Sequence, residues 1–103
     1  MSMKSMFELN LNRKIKVRKD LQVYDENSAL FFQLTPVGYD ILYIFHNKGI
    51  VSVKYLVEQL LKEYEIEKEV LSRDIIIFLN KLLELEIINI EVYNKIVVGS
   101  NDS

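Results

Sequence analysis

The 103-residue sequence has no cysteine, one histidine, one proline and three glycines. Without a thiol there is no disulfide, no thiolate metal site and no cysteine nucleophile. The lack suits a reducing compartment, and a cytoplasmic location is expected. The lone imidazole, His46, has no second histidine or thiol at ligand spacing, so no metal is expected. Three glycines are too few for a glycine-rich phosphate cradle, and no cofactor is expected. Ser28, Ser52 and Ser72 have no base near them in sequence; Ser28 and Ser52 read as turn and cap residues. These absences predict a chain that is not an enzyme. No apolar run nears the roughly 20 residues that a bilayer span needs. The segment MSMKSMFELN lacks the apolar stretch and cleavage pattern of a signal peptide. No membrane partner is expected.

Half of the residues are hydrophobic and 27% are charged, which is ordinary for one soluble domain. Arg13, Lys14, Lys16, Arg18 and Lys19 crowd into one stretch, alternating with Ile15 and Val17. That alternation predicts a strand with one wet, basic face. Residues 1–12 read as a flexible N-terminal tail. Period-2 patterning runs from 14 to 34, broken by the turn cluster Asp25-Glu26-Asn27-Ser28, and predicts a small antiparallel meander. Its last strand, Ala29 to Leu34, is apolar on both faces and has no charge to protect an edge.

The period changes at Thr35-Pro36, a cap followed by a residue suited to the first helical position. Helices are predicted over 36–47, 52–64 and 67–87. The second carries Val53, Leu56, Val57, Leu60, Leu61 and Tyr64 on one face, and the third carries Leu71, Ile75, Phe78, Leu79 and Leu82. Tyr39, Tyr43 and His46 form a stripe on the first helix opposite Ile41 and Phe45, a candidate contact for an enzyme or a second subunit. Ile88, Ile90, Val92, Ile96 and Val98 alternate again. They predict a C-terminal strand or short hairpin, followed by a disordered end. The domain is therefore placed at 13–92, with 93–103 as C-terminal strand and tail.

The third helix is apolar beyond its core stripe. Val70, Asp74, Ile77 and the stem of Lys81 share one flank, while Ile76 and Leu83 lie on the other. Such a helix wants a second partner surface, and so does the unguarded strand. An extended peptide laid between them satisfies both. Coverage by the C-terminal strand, or by a second copy of the chain, satisfies them too.

The string LTPVG (Leu34 to Gly38), then VKYLVEQLLKEY, then RDIIIFLNKLLELEII, resembles the PqqD-like proteins, the recognition elements of ribosomal-peptide modification systems. Leu34 and Gly38 match a Leu-Asn-x-x-Gly lead-in to the first helix, with Thr35 in place of asparagine. Asp74, Phe78, Leu79 and Leu82 match the third helix, where Glu86-Ile87-Ile88 stands in place of a glycine and its apolar neighbours. The resemblance covers about Lys14 to Ile90. It implies an α+β, winged helix-turn-helix-like fold, with a three-stranded sheet followed by three helices. It implies a stand-alone, chaperone-like function: binding the leader of a precursor peptide as an added strand and presenting it to a separate maturase or leader peptidase. The peptide-binding residues would be Ala29, Leu30, Phe31, Phe32 and Gln33 on the strand and Val70, Asp74, Ile77, Phe78 and Lys81 on the helix. Two readings compete. A winged-helix DNA-binding regulator needs a basic recognition helix, whereas this one carries Glu67, Lys68, Glu69, Arg73, Asp74, Lys81, Glu84 and Glu86, and the net charge is −2. No nucleic-acid partner is expected. A dimerising adaptor predicts a homodimer without a peptide ligand.

Overall fold

Strand alternation starts earlier than expected. The computed structural model describes residues 6–98. Met6–Asn10 is strand β1, where a flexible tail was predicted. Its Phe7 and Leu9 pair across from Val17 and Ile15 of β2 (Lys14–Arg18), and Leu9 is buried there. The same period of 2 that marks β2 is present in Phe7-Glu8-Leu9-Asn10, so burial of alternate residues fixes the register. Residues 1–5 of the predicted tail lie outside the described residues. Strands β3 (Gln22–Tyr24) and β4 (Phe31–Gln33) complete a four-stranded antiparallel meander in the order β1-β2-β3-β4. The fold is α+β as expected, with four strands rather than three.

Leu9, Ile15, Val17 and Val23 form the buried face of the sheet. Glu8, Lys16, Tyr24 and Phe31 sit opposite one another in a row on the outer face. Three of the five basic residues in the run are paired locally. Arg13 pairs with Asp25 at 3.1 Å, Lys16 with Glu26 and Glu8, and Arg18 with Asp20.

The helices are α1 (Pro36–Lys48), α2 (Val53–Leu60), α3 (Lys68–Glu84) and α4 (Ile90–Val98). The expected caps are in place: Thr35 Oγ1 accepts from the Gly38 N–H at 3.0 Å, and Ser52 Oγ accepts from the Tyr55 N–H at 3.1 Å. Helix α2 stops at Leu60, short of the predicted 64, because Lys62 and Glu63 bond three residues back to Gln59 and Leu60 and tighten the last turn. The Tyr64 hydroxyl donates to Asp40 Oδ2 at 2.6 Å, tying this turn to α1. Burial, then that bond, push the Tyr64 phenol up to about 12.

Residues 90–98 are helix, which corrects the predicted C-terminal strand. Asn89 caps it, its Oδ1 accepting from the Val92 N–H at 2.9 Å. Val92, Tyr93, Ile96 and Val97 then turn one helical face to the core, with Ile96 fully buried. The cap and this face override the alternation of Ile88, Ile90 and Val92. The expected end beyond 98 lies outside the described residues.

Between α3 and α4 the chain closes a tight helix-ending motif. The Ile87 N–H reaches the Leu82 carbonyl at 2.9 Å, and the Glu86 N–H reaches Leu83 at 3.0 Å. Glu86 takes the left-handed conformation, φ 62°, where glycine is favoured. The β1–β2 turn grips this motif. Asn12 donates to the carbonyls of Glu86 and Ile87, both at 2.9 Å, and Arg13 donates to that of Leu85 at 2.7 Å. Arg13 therefore joins α3 to Asp25 at the end of β3.

Candidate functional site

Strand β4 begins after a turn organised by Asp25, whose Oδ1 accepts from the Asn27 N–H at 2.8 Å, and by Ser28, whose Oγ accepts from Leu30. Among the described residues it pairs with β3 on one side only, which leaves its other side as an open edge of the sheet. The Leu34 N–H bonds to Leu21 and the Asp25 N–H bonds to Leu30. Both belong to the register that sets Val23 opposite Phe32. Bonded pairs alternate along an antiparallel ladder, so Phe32 bonds inward to Val23. The backbone N–H and C=O of Phe31 and Gln33 therefore point to the open side.

Side chains alternate with the same parity. Phe32 and Leu34 turn toward the helices, while Phe31 lies 61% exposed on the outer face of the sheet. Along the open side of β4, against α3, runs a groove of about 410 Å³. Phe32, Gln33 and Leu34, continuing into Thr35, Val37 and Gly38, line one wall. Asp74, Ile77, Phe78 and Lys81 line the other. Ile77 is 58% exposed, an uncovered apolar side chain on the helix. The Lys81 ammonium lies 5.0 Å over the Phe32 ring. Gly38 is buried, and a Cβ on it would come 2.9 Å from Phe78 Cε1. The glycine of LTPVG thus serves a close approach between α1 and α3.

Of the ten residues singled out in the sequence, the groove gathers Phe32, Gln33, Asp74, Ile77, Phe78 and Lys81. It does not gather the other four. Ala29 and Leu30 belong to the turn before β4, Phe31 faces the opposite side of the sheet, and Val70 lies nearly two turns before Ile77 on α3. Sequence reasoning missed Leu34, Thr35, Val37 and Gly38, although LTPVG marked the passage from strand to helix.

Helix α4 contributes nothing to the groove lining, so residues 90–98 do not cover it as a C-terminal strand would. In the Tyr39/Tyr43/His46 stripe, Tyr43 and His46 are exposed and Tyr39 is half-buried. Phe7 of β1 packs on all three rings at centroid distances of 5.8, 5.5 and 4.7 Å, and His46 Nδ1 lies 3.3 Å from the Glu8 carbonyl oxygen. A second groove, of about 400 Å³, runs between α1 and α2 past Asp40, Tyr55 and Glu63. Among the described residues no group of three or more His, Asp or Glu is placed to hold a metal ion. No described helix is long and apolar enough to cross a membrane.

The family described as coenzyme PQQ synthesis protein D (PqqD) matches residues 22–88, well over half of the chain. That span holds β3, β4 and α1–α3, hence both walls of the β4–α3 groove. The β1–β2 hairpin and α4 lie outside it. No curated protein and no solved structure matches the chain.

Proposed function

From the premise that this chain belongs to the PqqD family, we propose that it binds the leader of a ribosomally made precursor peptide. In this reading it presents that leader to a separate modifying enzyme, without catalysing a step itself. One observation supports this most: an open strand edge runs beside an apolar groove, with the outward backbone groups of Phe31 and Gln33 on one side and Ile77 on the other. An extended peptide antiparallel to β4 would bond its backbone to those two residues. Every peptide carries the same donors and acceptors, so these bonds supply affinity with little sequence choice. Selectivity then rests on alternate side chains that enter the groove over Ile77 and Phe78. A winged-helix-like module of this kind needs no cofactor and acts in the cytoplasm, where precursor peptides are made.

The test is a titration of the cognate leader against the wild-type chain and Ile77→Glu, with folding followed by circular dichroism. Wild type is expected to bind at micromolar concentration or tighter, about −8 kcal/mol or better. Ile77→Glu changes an exposed position, so the fold should persist while binding is lost. Equal affinity in the two folded proteins would move the site off this flank.

A further inference from the structure

The groove has electrically distinct ends. Asp74 and Lys81 both line it from α3, seven residues and so about 10 Å apart along the helix. Both side chains are exposed, and neither forms an ion pair with another described residue. Between them lie Ile77 and Phe78. The contacts across the groove fix its direction. Phe32 lies under the Lys81 ammonium, whereas Gly38, beside which Leu34 packs, lies against Phe78, one helical turn nearer Asp74. Helix α3 therefore runs opposite to β4. A strand antiparallel to β4 would run parallel to α3, entering at Asp74 and leaving at Lys81.

The register selects which of its residues meet the groove. Positions opposite Phe31 and Gln33 bond through their backbones and turn their side chains to the outer face. The position opposite Phe32, under Lys81, the position opposite Leu34 and the one two residues before it, beside Thr35, turn theirs to the groove. We infer that the chain takes an extended peptide with a basic residue, an apolar residue two positions on and an acidic residue two positions further, and that Asp74 and Lys81 read this charge order. The inference rests on the peptide-capture reading above and adds polarity to it. Four strand residues span about 13 Å against about 10 Å between the two helix positions, a difference that the long side chains of a bound lysine and glutamate take up. Exposed ion pairs are weak, so each match is worth roughly twofold to threefold in affinity, and reversal of the order removes both and adds like-charge contacts.

The experiment is a selection from a displayed library of random 12-residue peptides. It uses the full chain, the double variant Asp74→Lys/Lys81→Glu and, as control, Ile77→Glu, each checked for folding by circular dichroism. Wild type should enrich basic-x-apolar-x-acidic sequences, and the double variant the reverse order. A synthetic peptide containing Lys-x-Leu-x-Glu should then bind wild type about tenfold tighter than its Glu-x-Leu-x-Lys counterpart, with the preference inverted in the double variant. Enrichment of apolar strands without charge order, or of one order by both proteins, would overturn the inference and leave peptide capture standing. No enrichment over Ile77→Glu would overturn both.

Discussion

Single residues carry much of the architecture in ways that composition does not announce. Phe31 and Phe32 are identical in chemistry and adjacent in sequence, yet one faces solvent and the other the groove. Both sit in an apolar run, so only the hydrogen-bond parity with β3 separates them. Gly38 was visible as a motif residue, but its reason, the approach of the Phe78 ring, is a tertiary fact. Glu86 stands where the family resemblance places glycine, and its φ of 62° shows that the backbone still asks for one. The left-handed conformation costs a residue with a Cβ roughly 1–2 kcal/mol, part of which glycine returns through its freer unfolded chain. Glu86→Gly should therefore stabilise the fold by about 0.5–1 kcal/mol in urea unfolding. Destabilisation would mean that the turn relaxes readily around its side chain.

Among the elements, those with local punctuation were legible. Thr35-Pro36 and Ser52 mark the starts of α1 and α2, and the apolar stripe of α3 is buried at Leu71, Ile75, Leu79 and Leu82. Two elements were misread for opposite reasons. In β1 the alternation Phe7-Glu8-Leu9-Asn10 is only four residues long, too short to stand out beside the charged run that follows. In α4 an alternation was present and misleading, because β-branched residues at 88, 90 and 92 read as strand while Asn89 caps a helix. If that cap is what starts α4, Asn89→Ala should cost about 0.5–2 kcal/mol of stability. Local hydrogen exchange should then quicken at Val92 and Tyr93. An unchanged melt and unchanged exchange there would show that Ile96 packing alone holds the helix.

At the scale of the whole molecule, the region outside the family match supports the region inside it. The β1–β2 turn holds the end of α3 through Asn12 and Arg13, and Arg13 reaches on to Asp25 at the head of the turn that leads into β4. Both groove walls are thereby fixed at one end before any ligand arrives, which lowers the entropy lost on binding. The sheet has two edges, β1 and β4, and it is the β4 edge that lies beside an uncovered apolar helix flank. Amide hydrogen exchange of the wild-type chain, with and without a saturating leader peptide, tests this central claim most directly. The account predicts that the Phe32 amide, already bonded to β3, changes little, while the amides of Phe31 and Gln33 slow markedly when the leader binds. Binding that leaves both of those amides as fast as in the free protein would contradict strand addition at β4.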